Sequence, residues 1–159
     1  MSRLVHRVKQ GLAHTLALSF GAGLSPVWPG TVGAAVGLLC AVLLRTVPPA
    51  GQVAGLVLML MIGIWASAVV ARACHEDDPQ SVVIDESFGA AATVLVLPPE
   101  PLWWALGFVA FRFFDIVKPF PVNWVQDHVK GGTGIMLDDA AAALYAVAIL
   151  WPVSRLLAA

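Results

Sequence analysis

Nine of the ten carboxylates in this chain fall in two stretches: Glu76, Asp77, Asp78, Asp85 and Glu86 in the first, Asp115, Asp127, Asp138 and Asp139 in the second. Only Glu100 lies elsewhere, and the first 75 residues contain no acid. Adjacent carboxylates repel unless a cation sits among them, and carboxylate oxygens are what Mg²⁺ prefers. The run Asp78-Pro79-Gln80-Ser81-Val82-Val83-Ile84-Asp85-Glu86 places two acids at the head of an apolar stretch. They either hold a hard cation or simply complement the dipole of a helix start. In Arg112-Phe113-Phe114-Asp115-Ile116-Val117-Lys118 an acid stands between two bases at i, i+3 and i+6, so all three can share one helical face. That is either a salt-bridge row at a membrane edge or a metal-holding acid between two cations aimed at phosphate.

Two glycine-rich segments add backbone donors. Gly21-Ala22-Gly23-Leu24-Ser25-Pro26-Val27-Trp28-Pro29-Gly30-Thr31-Val32-Gly33 leads into an apolar helix, with Thr31 as a plausible N-cap. Glycines allow close approach of a ligand to the backbone, and a helix N-terminus with free amides suits phosphate. The other reading is a turn and a cap. No Gly-Lys-Ser/Thr follows, so this is not a P-loop. Gly131-Gly132-Thr133-Gly134-Ile135-Met136-Leu137-Asp138-Asp139 reads as a pliant loop whose paired aspartates start the last apolar helix. Cys40 and Cys74 belong to no CxxC pair and no Cys-x5-Arg loop, and both read as small buried hydrophobes. His75 is a candidate general base, with Glu76 and Asp77 beside it as ordinary ion-pair partners.

The elements that must position these groups are apolar. The hydrophobic fraction is 59% and the charged fraction 12%, against roughly 25% charged in ordinary soluble domains. Mean hydropathy is +0.84. At 159 residues the chain is one domain, too small to hide so much apolar surface from water. The expectation is an all-α, polytopic membrane bundle of three to five apolar helices. The stretches are about 32–46, 52–73, 86–97, 101–117 and 139–157. Only the second and fifth approach the roughly 20 residues that cross a bilayer unaided; the third is short enough to tilt or to pack inside the bundle. No secretory signal is apparent. At the N-terminus, Leu4, Val5, Val8, Leu12 and Leu16 fit one helical face, either lying at the interface or packed on neighbouring helices.

The turns are of two kinds, and they alternate. Val47-Pro48-Pro49-Ala50-Gly51 and Leu97-Pro98-Pro99-Glu100-Pro101 are short and chemically poor, whereas 21–31, 74–86 and 112–139 are polar. If the apolar stretches cross in order, all polar segments share one end. That end carries Arg3, Arg7, Lys9, Arg72, Arg112, Lys118 and Lys130; the other carries Arg45 and Arg155. The positive-inside bias places the polar end in the cytoplasm. Trp28, Trp103, Trp104, Trp124 and Trp151 sit near helix ends as interface anchors, and Trp65 reads as bundle packing.

Four ordered blocks spanning about 20–145 carry a resemblance. They are Gly23-x-Ser25-Pro26-x-x-Pro29-Gly30-Thr31-x-Gly33, Asp78-Pro79-x-Ser81-Val82-Val83-x-Asp85-Glu86, Arg112-Phe113-Phe114-Asp115-Ile116-x-Lys118-Pro119-x-Pro121, and Asp127 with Gly131-Gly132-x-Gly134-Ile135-Met136-x-Asp138-Asp139. Together they resemble the phosphatidylglycerophosphatase A family. The chain departs from the family pattern at Ser87-Phe88-Gly89 and Ala140–Ala143, which are helix-packing positions. The resemblance implies an all-α enzyme of the bacterial inner membrane that hydrolyses phosphatidylglycerophosphate to phosphatidylglycerol and phosphate with Mg²⁺.

The expected site follows. Asp85, Glu86, Asp115, Asp138 and Asp139 hold the metal, with Asp78 as a further ligand or supporting group. Arg112 and Lys118 bind the phosphomonoester. Ser25, Pro29, Gly30 and Thr31, with Gly131, Gly132 and Gly134, offer amides to phosphate or glycerol. Water or an aspartate is the nucleophile, and the lipid substrate keeps its acyl chains in the bilayer. The competing expectation is a small cation transporter or channel subunit, which would need an acid near mid-membrane.

Overall fold

The computed structural model describes residues 2–157, with side chains from Arg7 onward. Among the described residues seven α-helices form, in chain order: α1 Ser2–Ala17, α2 Pro29–Leu44, α3 Pro49–Cys74, α4 Ile84–Val96, α5 Pro101–Val117, α6 Val122–His128 and α7 Gly131–Leu157. A short 3₁₀ segment, Ser19–Leu24, joins α1 to α2. No strand occurs among the described residues. All five apolar stretches are helices, as expected.

Proline sets the boundaries. Pro29, Pro49 and Pro101 each open a helix, where the missing N–H would be unpaired in any case. α3 and α5 end on left-handed residues, His75 and Lys118, whose N–H groups bond back to Ala71 and Phe114.

The thirteen-residue α4 is the centre of the bundle. Nine of its residues are buried, and α2, α3, α5 and α7 pack around it. At a rise of about 1.5 Å per residue it spans about 20 Å, too short to cross alone. Small residues bring the neighbours close. Gly30, Gly33, Ala34, Gly37 and Ala41 are the buried stripe of α2. A Cβ on Gly37 would collide with the Ser87 carbonyl of α4. Ser87 fastens the same contact, donating to the Gly33 carbonyl at 2.7 Å and lying 2.7 Å from Ser19 Oγ. Close backbone approach of this kind drives helix association where lipid removes the hydrophobic gain. Gly37→Ala is therefore expected to lower the unfolding midpoint in detergent, because overpacking costs about 1–3 kcal/mol and exceeds the roughly 1 kcal/mol gained in helix propensity. An unchanged midpoint would mean that α2 and α4 do not rely on this contact.

Two helices, Pro49–Cys74 and Gly131–Leu157, are long and apolar enough to cross a bilayer, and 22% of each apolar window is buried. Fully buried residues are thus a minority of both windows, which fits helices that face lipid. α2 is apolar but has only 16 residues.

Several expectations change. Gly131–Gly134 is not a loop but the first turn of α7, so Asp138 and Asp139 lie two turns inside that helix instead of at its start. Thr31 is not the N-cap of α2; Trp28 occupies that position in the left-handed conformation. Trp65 and Cys74, the last residue of α3, are exposed. In α1, Ala13 and Ala17 are buried while Val8 and Leu12 face outward, and the helix packs against α3. The side chains of Arg3, Leu4, Val5 and His6 lie outside the described residues.

Candidate active site

The polar segments converge on one cavity of ≈ 610 Å³. The start of α2 contributes Pro29, Gly30 and Thr31; the turn before α4 contributes Asp78; the first turn of α4 contributes Asp85 and Glu86. The end of α5 brings Arg112, Asp115 and Lys118, and α7 brings Asp138 and Asp139. These positions come from segments separated by apolar helices, so the bundle itself assembles the cavity.

Asp85, Asp115, Asp138 and Asp139 are buried. Six carboxylates line the cavity against two cations, Arg112 and Lys118. Arg112 pairs with Asp115 one turn along α5, and its Nη1 lies 3.8 Å from Glu86 Oε1. Lys118 Nζ donates to Asp138 Oδ2 at 2.6 Å. The left-handed Lys118 ends α5, so Lys118 is paired across the bundle to Asp138 of α7 and not to Asp115 on its own helix. Burial pulls the Lys118 pKa down, but the bond to Asp138 and the charges of Asp138, Asp139 and Asp115 outweigh it and raise the pKa. Lys118 is therefore a cation at any working pH.

The carboxylates are incompletely satisfied. Asp85 Oδ1, Glu86 Oε2 and Asp139 Oδ2 are buried without a hydrogen-bond partner. Unpaired buried polar groups are costly, and charged ones more so. Asp85, Glu86 and Asp139 also offer ligand atoms within 4.8 Å of one another. An all-oxygen donor set of this charge fits a hard divalent cation such as Mg²⁺ and suits soft metals poorly. Gly30 keeps the rim open: a Cβ there would strike Glu86 Oε1 and come within 3.0 Å of the Arg112 guanidinium.

Other expected residues lie elsewhere. Ser25 is outside the cavity lining and donates to the Val27 carbonyl at 2.9 Å. Gly132 is buried against the Ile64 carbonyl and Ala68 of α3. Gly131 and Gly134 border a smaller neighbouring cavity of ≈ 270 Å³ with Asp77, Asp127 and Lys130. Asp78 and Asp138 line both cavities. His75 is exposed at the end of α3. Sequence reasoning missed Gln80, Val82 and Ile116 as lining residues and took Trp28 for an anchor. Their only signal was adjacency to the motif residues.

Every carboxylate of the cavity sits at this end of the bundle. None occupies the middle of α3 or the stretch of α7 beyond Asp139, so nothing among the described residues supports an ion path.

The family model described as phosphatidylglycerophosphatase A matches residues 15–154. The chain is 39% identical over 141 residues to phosphatidylglycerophosphatase A of Escherichia coli K12, covering 87% of this chain and 81% of that protein. It is 34% identical over 144 residues to phosphatidylglycerophosphatase A of Haemophilus influenzae, covering 88% and 87%. It is also 34% identical over 143 residues to a Bacteroides thetaiotaomicron protein provisionally named a phosphatidylinositol-3-phosphatase, covering 85% and 89%. No solved structure matches the chain significantly.

Proposed function

The chain belongs to the phosphatidylglycerophosphatase A family and is a phosphatase, and from that membership we propose that it hydrolyses the terminal phosphomonoester of phosphatidylglycerophosphate, yielding phosphatidylglycerol and phosphate. The observation that carries the reading is the set of three unpartnered, buried carboxylate oxygens beside two fixed cations, at one end of a bundle with two helices long and apolar enough to cross a bilayer. The bundle lies in the bacterial inner membrane with its polar end toward the cytoplasm, in line with seven cations at that end against two at the other.

In this reading Asp85, Glu86 and Asp139 would hold Mg²⁺, with Asp115, Asp138 and Asp78 as further candidate ligands or supporting groups. When bound, the ion offsets the excess negative charge and polarises a phosphoryl oxygen. Arg112 and Lys118 bind the remaining phosphoryl oxygens and stabilise charge that grows on them during transfer. Gly30 lets the phosphate approach the backbone at the start of α2, where it is the first residue with an N–H to offer, since Pro29 has none and the Thr31 and Val32 amides already donate to the Trp28 carbonyl. The carboxylates that the ion leaves free can accept the proton of an attacking water. The exposed apolar faces of α3 and α7 keep the acyl chains in lipid, so the headgroup reaches the cavity while the substrate stays in the membrane.

Phosphate release from phosphatidylglycerophosphate in detergent micelles tests this. Release is expected with Mg²⁺ and is expected to fall to background in EDTA. Phosphatidylinositol 3-phosphate serves as the comparison substrate and is expected to be turned over more slowly. No release from folded protein, with or without Mg²⁺, would overturn the assignment.

A further inference from the structure

Arg45 and Arg155, the two cations left at the far end of the bundle, line a single cavity of ≈ 320 Å³ together with Leu97, Pro98 and Trp151. No acid lines it, and neither arginine has an acidic partner among the described residues. Glu100 is near in sequence but exposed, and pairs with neither.

Arg45 is turned inward. Its Nη2 donates to the carbonyls of Val94 at 3.1 Å and Leu97 at 2.5 Å, capping α4. Its guanidinium stands 5.8 Å from the centre of the Trp104 ring, and its buried Nε has no partner. Arg155 stands 5.5 Å from the Trp151 ring. Carbonyls and aromatic faces orient these groups without cancelling their charge. A snorkelling arginine needs only water around its head, whereas Arg45 is held at the cavity wall with a sealed donor.

We propose that this cavity binds the phosphate group of an anionic phospholipid in the leaflet opposite the active site. Guanidinium forks match phosphate oxygens in pairs. Tryptophan gathers at the level where headgroups meet acyl chains, and Trp103, Trp104 and Trp151 all lie at this end. Val96 lines the cavity and is exposed, and it also lines an adjoining apolar cavity with Leu56, Phe88, Leu144 and Val147. The acyl chains of a lipid seated by its phosphate would run along that apolar cavity; a free phosphate would have no use for it. The inference rests on the bundle lying in a bilayer and not on the reaction at the polar end.

The test counts lipids retained by the full-length protein in a zwitterionic detergent, by native mass spectrometry, with phosphatidylglycerol or phosphatidylcholine supplied. Wild type is expected to keep one more phosphatidylglycerol than Arg155→Gln, and no extra phosphatidylcholine. Arg155 is exposed, so its replacement leaves the fold intact. Arg45→Lys, which keeps charge but loses the fork, is expected to weaken retention as well. The active-site cations are present in all these proteins and cancel in the difference. Equal retention by wild type and both variants would overturn the proposal. Displacement of the lipid by millimolar inorganic phosphate would assign the site to a free anion and overturn the lipid source. Turnover of phosphatidylglycerophosphate is expected to be unchanged in Arg155→Gln. A failure of the catalytic reading would show separately, as absent turnover in wild type.

Discussion

Replacing Asp85 or Asp139 with asparagine is expected to lower phosphate release from phosphatidylglycerophosphate by about 10²–10³-fold or more, the range seen when a preorganised charge-stabilising group is removed. Each substitution keeps the shape of the side chain and removes one negative charge from a buried cluster. Both residues carry an oxygen that nothing in the protein satisfies, so the fold does not depend on their charge. Fewer like charges in a poorly solvated cavity means less repulsion. In EDTA, the unfolding midpoint of either variant is therefore expected to equal or exceed that of wild type. Added Mg²⁺ is expected to raise the wild-type midpoint, as any ligand that binds only the folded state does, and to raise those of the variants much less. Near-wild-type turnover in both variants would refute the placement of the site. An undiminished Mg²⁺ shift in both would refute the metal ligands while leaving the cavity as the place of reaction.

Arg112→Ala is expected to reduce kcat/KM by about 10²-fold or more, with Arg112→Lys recovering only part of the loss because charge returns without the planar fork. Arg112 reaches two carboxylates from different helices, Asp115 on α5 and Glu86 on α4, so removing it also strips a cation from a buried acidic cluster. The unfolding midpoint in EDTA should fall for this reason. A purely structural ion pair would show that fall together with reduced abundance, and unchanged turnover per folded molecule. A phosphate-binding arginine changes the turnover itself. Measuring kcat/KM against folded protein, with the midpoint recorded on the same preparation, separates the two.

Much of this protein is determined locally. Three helix starts, Pro29, Pro49 and Pro101, follow from proline, which is well suited to begin a helix; Pro152, by contrast, lies inside α7. The gathering of motif residues at one end follows from alternation, since antiparallel apolar helices return the chain to the same end of the bundle every second helix. The candidate site residues Asp85, Glu86, Arg112, Asp115, Lys118, Asp138 and Asp139 were legible for this reason, and they do line one cavity. What sequence could not decide is who meets whom. Lys118 sits at the right spacing to pair with Asp115, yet a left-handed residue ends α5 and turns it to Asp138. Gly131–Gly134 has the composition of a loop, yet Gly132 is pressed against the α3 backbone and the segment is helical. The centrality of α4 depends on how closely its neighbours approach it, which is set by glycine and alanine stripes on other helices. Which carboxylate oxygens remain without partners depends on that packing, because the cations among them, Arg112 and Lys118, are brought by α5 while Asp85, Glu86 and Asp139 stand on α4 and α7.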